Sequence, residues 1–167
     1  MLLAEHGASF SSQKLPLEEL QSDSLEKLVE HKAQQAFVQL QRPVFVQDAG
    51  WSIPALKGFP GPFMKYMNQW LEPEDFLNLM QSKENKTVNL VDYFGCVDTD
   101  GKVVIYKAVF PARFLDTPTG EGSSIDRIVA LEGSDKPLSL MPLEERQTIF
   151  ARATVWKDLA EWIKVQN

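Results

Sequence analysis

Pro43-Val44-Phe45-Val46-Gln47-Asp48-Ala49-Gly50-Trp51-Ser52-Ile53-Pro54-Ala55-Leu56-Lys57-Gly58-Phe59-Pro60-Gly61-Pro62-Phe63-Met64-Lys65-Tyr66 places an acid behind a β-forming run and follows it with a loop punctuated by glycine and proline. Val44, Phe45 and Val46 are β-branched or aromatic and follow a proline that can open a strand. The pattern predicts a strand from Val44 to Asp48, with the Asp48 carboxylate emerging where the strand stops and facing a cleft. Gly58, Pro60, Gly61 and Pro62 predict a stiff turn before an amphipathic helix, with Pro62 suited to its first turn.

Outward from this stretch the chain alternates helical and extended patterns. Met1 to His6 reads as the end of a helix stopped by Gly7, and Ala8 to Leu15 as a strand. Ser22 or Ser24 can cap a helix carrying Leu25, Leu28, Val29, Lys32, Ala36 and Phe37, with its apolar positions on one face. Beyond the Gly58–Pro62 turn, Phe63, Met64, Met67, Trp70 and Leu71 mark a second helix. Glu72-Pro73-Glu74-Asp75 opens a third, which carries Phe76, Leu77, Leu79 and Met80. Val88 to Val97 and Lys102 to Phe114 are β-rich runs joined by Asp98-Thr99-Asp100-Gly101, a hairpin whose acids read as solvated turn residues rather than calcium ligands. Leu143 to Val165 has the spacing of one long amphipathic helix. Helices mixed with paired strands place the chain in the α/β or α+β class, and the absence of repeats or linkers predicts one domain over residues 1–167.

Composition narrows the function. With 167 residues, 44% hydrophobic and 24% charged, the chain suits a single soluble domain with a proper core. A formal charge of −6 argues against broad binding to nucleic-acid phosphates, while a few local cations can still hold a small anionic ligand. The apolar runs are strand-length and the N-terminus lacks a signal-peptide pattern, so no membrane is expected. The single Cys96 leaves no intrachain disulfide framework, fits a reducing cytoplasm and reads as an inert core thiol. His6 and His31 read as surface residues.

Ala55-Leu56-Lys57-Gly58-Phe59-Pro60-Gly61-Pro62-Phe63-Met64-Lys65 closely resembles the Ala-Leu-x-Gly-x-Pro-Gly-Pro-Tyr-x-Lys signature of the inosine triphosphate pyrophosphatase family, which removes pyrophosphate from non-standard purine nucleoside triphosphates. In that family the preceding strand ends in two acids. Here the first is Gln47, while Asp48 aligns with the acid that the resemblance implies is the general base or a metal-side carboxylate. The resemblance covers nearly the whole chain and implies an α/β fold: an elongated mixed β-sheet flanked by helices, two lobes with a central cleft for the nucleotide, and a homodimer. The segment Gln13-Lys14-Leu15-Pro16-Leu17-Glu18-Glu19-Leu20-Gln21 is similar to the one carrying a metal-binding Glu, matched by Glu19 with Glu18 as the fallback. Lys32 matches a helix lysine that faces the phosphates.

Departures from the family pattern are equally legible. The family's first strand ends in Ser/Thr-Gly-Asn-x-x-Lys, and nothing before Ser9 resembles it, so the chain reads as N-terminally shortened. Losing that strand would expose a neighbour's unpaired backbone groups. Where the family has Phe-Gly-(Trp or Tyr)-Asp-Pro after Pro-Arg-Gly, the stretch from Pro118 to Arg127 keeps Pro118, Gly120 and Asp126, without the stacking aromatic. Met141-Pro142-Leu143-Glu144-Glu145-Arg146 aligns well, but of the later Ser-His-Arg only Arg152 is matched. Losing the Ser and His should relax or redirect base choice.

Two readings follow. One is a magnesium-dependent pyrophosphatase that cleaves inosine or xanthosine triphosphate to the monophosphate and pyrophosphate. In it Glu19 and Asp48 lie around the metal, and Lys32, Lys65, Arg113, Asp126 and Arg152 contact the nucleotide. The other is a catalytically degenerate member that keeps the scaffold as a nucleotide-binding or protein-interaction module. Gln47 and the missing phosphate motif favour the second reading, and the intact run from Asp48 to Lys65 favours the first.

Overall fold

The computed structural model describes residues 2–166, so the notional helix start at Met1 lies outside the described residues. The elements are α1 (Leu2–Glu5), α2 (Leu25–Leu40), β1 (Val44–Ser52), α3 (Met64–Trp70), α4 (Pro73–Met80), β2 (Thr87–Val97), β3 (Val103–Phe114), β4 (Val129–Leu131), α5 (Leu143–Phe150) and α6 (Val155–Gln166). Among the described residues the strands form one four-stranded sheet in the order β1-β2-β3-β4, so neighbours in the chain are neighbours in the sheet. Strands β3 and β4 are antiparallel, with Ala112 opposite Leu131, Arg113 opposite Ala130 and Phe114 opposite Val129. No described helix is long and apolar enough to cross a membrane.

The chain divides into two compact units. The first comprises Met1–Ala49, Asp92–Ala108 and Ala151–Asn167. Helix α2 starts because the Ser24 Oγ accepts the Lys27 amide at 3.3 Å, and its stripe of Leu25, Leu28, Val29, Ala33 and Ala36 is buried. The helix lies close enough to β2 that a Cβ on Gly95 would stand 2.7 Å from the Val29 carbonyl oxygen. On the preceding residue of the strand, which points to the opposite face, the Phe94 ring packs edge-on against Trp156 of α6 at 5.3 Å. Thus α2 and α6 cover the two faces of this part of the sheet, and α1 packs on α6. The β2–β3 turn closes as its sequence predicts. Asp98 Oδ1 accepts the amides of Asp100 and Lys102, each at 2.9 Å, and Gly101 takes φ 78°.

The second unit comprises Gly50–Val91 and Val109–Phe150. Here the Gly-Pro loop folds back on the end of β1: the Ile53 amide donates to the Phe59 carbonyl at 3.0 Å, and Ser52 bridges Pro60. Gly58 sits at φ 93°, a conformation that a side chain would strain, and the Phe59–Pro60 peptide is cis. Helix α4 begins with Pro73 behind Glu72, whose amide donates to Asp75 Oδ2 at 2.9 Å in a capping box. Phe76, Met80, Ile125, Ile128 and Leu131 are fully buried in this unit's core. The Ser124 hydroxyl donates to the Leu71 carbonyl at 2.6 Å.

Several sequence expectations are corrected. Strand β1 does not stop at Asp48 but continues through Gly50 and Trp51 to Ser52, because both residues are buried and extended rather than in a turn. The stretch Ala8–Leu15 forms no regular strand in the described structure. Instead its Ser9, Phe10 and Leu15 line a groove of about 510 Å³ with Val44, Phe45 and Trp162, next to the end strand of the sheet. The long C-terminal helix is two helices, α5 and α6, interrupted at 151–154. The turn after Gly58 passes through a 3-10 turn at Gly61–Phe63 before α3 begins at Met64. Of the two serines proposed to cap α2, Ser24 does so, while the Ser22 Oγ accepts the Ser24 amide at 3.1 Å.

Candidate functional site

Within the first unit, β1 and α2 bring Asp48 and Lys32 together: Lys32 Nζ donates to Asp48 Oδ2 at 2.6 Å. Their side chains retain 22% and 25% exposure, so the pair is partly open to solvent and not sealed in the core. Glu19 lies on the exposed segment before α2. That segment is pinned to the helix by a reciprocal clasp, in which the Glu18 amide donates to Gln35 Oε1 at 2.8 Å and Gln35 Nε2 donates to the Glu18 carbonyl at 2.9 Å. Residues three apart on a helix share a face, so the clasp at Gln35 sets the Glu18–Glu19 segment on the Lys32 side of α2. Arg152 is exposed in the break between α5 and α6.

On the neighbouring strand lies an acid that the sequence reading did not single out. Asp92 of β2 is buried at 7% exposure, and Gln47 Nε2 of the neighbouring strand donates to its Oδ2 at 2.6 Å. Its Oδ1 is buried with no hydrogen-bond partner among the described residues. Burial pushes the Asp92 carboxyl up to about 6, the Gln47 hydrogen bond opposes the rise, and the nearby Asp48 charge adds to it. The signal that could have found it is an acid in the middle of the apolar run Leu90-Val91-Asp92-Tyr93-Phe94.

The second unit holds the remaining candidates. Lys65 is exposed on α3, its Nζ 5.9 Å from the Tyr66 ring centroid. Arg113 is in an exposed ion pair: its Nη2 donates to Asp135 Oδ1 at 2.6 Å, with 53% and 98% of the side chains exposed. Asp126 is half-buried; burial pushes its carboxyl up, opposed by hydrogen bonding from Ser123, the Arg146 charge and a hydrogen bond from Trp51. Trp51 and Arg146 are thus contacts of a candidate residue that sequence reasoning left unassigned. The Arg146 Nη2 also donates to the Leu138 carbonyl at 2.8 Å, which ties α5 to the turn before it.

No three His, Cys, Asp or Glu side chains converge as a ready-made metal cage among the described residues. What the geometry offers is a cation–carboxylate pair and, separately, a buried acid in one unit, and a cationic and acidic set with an indole in the other. Such groups can bind phosphate, accept a proton and carry a hard cation with help from a ligand's own oxygens.

Comparison with known proteins finds relatives that align with most of this chain. A dITP/XTP pyrophosphatase of Methanopyrus kandleri is 33% identical over 164 residues, which covers 98% of this chain and 87% of that protein. An inosine triphosphate pyrophosphatase 2 of Trypanosoma cruzi is 28% identical over 142 residues, covering 84% of this chain and 72% of that protein. Among solved structures, the Staphylococcus aureus Ham1 protein superposes with a TM-score of 0.76 at 20% identity, covering 92% of this chain and 82% of its own. A HAM1 protein of Coxiella burnetii gives 0.75 at 16% identity, covering 97% and 84%. At those identities the structures establish the fold, a mixed α/β arrangement of an antiparallel sheet with flanking helices. The sequence model of the Ham1 family matches residues 2–162, and on that match over almost its whole length this chain belongs to the Ham1 family.

Proposed function

We propose that this chain hydrolyses non-standard purine nucleoside triphosphates of the dITP, ITP or XTP type to the monophosphate and pyrophosphate. The observation that carries the reading is the Lys32–Asp48 pair at 2.6 Å on α2 and β1, a partly exposed carboxylate held in one orientation by an ammonium suited to phosphate. The similarity to the Methanopyrus kandleri dITP/XTP pyrophosphatase supports the substrate class.

In the reaction a water oxygen bonds to the first phosphorus, the bond from that phosphorus to the bridging oxygen breaks, and its electron pair leaves with pyrophosphate. Asp48 accepts the proton that the water loses. Lys32 restrains the carboxylate, a positioning that turns a bimolecular encounter into a local one. Lys65, Arg113 and Arg152 offer cations to phosphate or base, and Asp126 offers an acceptor. Arg113 can exchange Asp135 for a ligand cheaply, because an ion pair this exposed is worth about 1 kcal/mol or less.

A hard divalent cation fits the donors present. Asp48 reaches solvent, Glu19 is exposed, and magnesium needs only one or two protein carboxylates besides phosphate oxygens. Asp48 and Glu19 would hold it, and when bound it supplies neutralisation of charge on the phosphate oxygens. The same reading takes magnesium as the cation, residues 1–167 as one working domain, a homodimer as the working state and the cytoplasm as the compartment.

The test is direct. Purified protein with magnesium should release pyrophosphate from dITP, ITP or XTP, and release of orthophosphate alone rejects the bond assignment. Asp48→Asn should lower the rate by about a hundredfold or more with an unchanged thermal midpoint. An unchanged rate removes Asp48 from the chemistry, and a wild type without any turnover leaves a nucleotide-binding or interaction module instead.

A further inference from the structure

The sheet of the first unit stops at β1, the end strand of the order β1-β2-β3-β4, so every second residue along it turns its amide and carbonyl to the free side. Among the described residues no backbone hydrogen bond joins β1 to the segment 9–17 that lines the groove beside it. Natural edges are blunted by charge, proline or a bulge, whereas Val44-Phe45-Val46 carries neither charge nor proline. The groove is apolar on two sides: α2 contributes Ala36 and Leu40, and α6, which covers the opposite face of the sheet, contributes Trp162 and Ile163. One further strand position between such layers is about 4.8 Å across, 10 Å deep and 3.3 Å long per residue, roughly 160 Å³ for each residue, so the 510 Å³ of the groove holds about three. The β1 residues that line it, Val44 to Val46, span that same length. Among the described residues Arg42, just before β1, is the one charged side chain on the lining, and its guanidinium meets no acid there: Nη2 donates to Gln13 Oε1 at 3.1 Å.

We propose that the free edge of β1 is a docking groove for an extended segment of another polypeptide: a strand of about three uncharged residues, apolar on both faces, flanked by an aspartate or glutamate that meets Arg42. Backbone pairing with β1 supplies the affinity, and the two helix faces select apolar side chains at alternate positions. Arg42 sets which end of the segment carries the acid. A strand that is apolar on one face only fits poorly, because it would bury polar side chains against α2 or α6. None of the groove residues is among those given to the nucleotide, so the docking stands apart from the pyrophosphatase reading.

The experiment uses the full chain and a fluorescein-labelled peptide, Glu-Val-Ile-Val-Glu, whose acid at each end lets either strand direction reach Arg42, with binding read by fluorescence anisotropy. Replacing the central Ile by Pro removes a backbone donor and disfavours the extended pairing, and should weaken binding by about tenfold or more. Arg42 is exposed, so Arg42→Glu keeps the fold and should reverse the charge preference. The wild type should favour this peptide over Lys-Val-Ile-Val-Lys by about fivefold, and the variant should favour the lysine peptide. In hydrogen exchange followed by mass spectrometry, the segment 43–47 should slow when the glutamate peptide binds. No binding of that peptide overturns the proposal, as do equal affinity for the proline peptide, unchanged exchange at 43–47, or an Arg42→Glu variant that keeps the wild-type preference. Sedimentation of the protein alone addresses the other occupant: a dimer that protects 43–47 without any peptide assigns the groove to a second copy and overturns the proposal as well. Pyrophosphate release without docking sinks only this proposal, and docking without pyrophosphate release sinks only the pyrophosphatase reading.

Discussion

Asp92 should make the metal-free protein less stable as the pH rises, and the size of the effect follows from its burial. In the unfolded chain the carboxyl ionises around its ordinary 3.8, whereas burial in the folded protein holds the proton until about 6. Between those two values the folded state binds more protons than the unfolded one, so the free energy of unfolding falls with rising pH across that window and is flat outside it. Each pH unit of the window is worth about 1.4 kcal/mol, which sets the cost of ionising Asp92 at about 3 kcal/mol. Asp92→Asn carries no charge at any pH and removes that cost. In urea denaturation with a chelator present, followed by tryptophan fluorescence, the variant should be more stable than the wild type by about 2–3 kcal/mol near pH 7.5, with the difference largely gone near pH 4. A variant no more stable than the wild type at the higher pH refutes the reasoning, as does a difference of the same size at both.

Two further outcomes test the packing. Gly95→Ala puts a Cβ 2.7 Å from the Val29 carbonyl oxygen, a backbone atom that cannot rotate away, and should cost about 1–3 kcal/mol by forcing α2 off β2; an unchanged chemical denaturation midpoint would show that the helix moves freely. Cys96 is fully buried, and burial pushes its thiol up to about 12, so iodoacetamide at neutral pH should label it only after unfolding, as mass spectrometry of native and urea-treated protein would report.

Much of this protein is written locally. Glycine at 58, prolines at 60 and 62, and the Glu72-Pro73-x-Asp75 cap each act over a few residues, so the loop after β1, the start of α4 and the Asp98–Gly101 turn are legible without any structure. The same holds for the buried stripe of α2, whose spacing follows from the helical period, and for the Lys32 and Asp48 types that suit phosphate and metal chemistry. What tertiary structure alone decided depends on contacts between distant segments. Strand β1 runs past Asp48 to Ser52 because the later residues find a buried, paired environment, which outweighs the turn propensity of Ala49-Gly50. The C-terminal apolar periodicity continues through 151–154, yet the helix breaks there, since a period reports which face is apolar and not whether the backbone stays continuous. Arg113 looks available in sequence and is engaged by Asp135, which lies far along the chain on the segment after β4. Asp92 is the sharpest case. As a letter it is one acid among 23 Asp and Glu, and only the pairing of β2 with β1 sets it against Gln47, buries it and leaves one oxygen without a donor. Strand register is a property of the folded sheet, so the partner across the strand, and with it the chemistry of the site, cannot be read from either segment by itself.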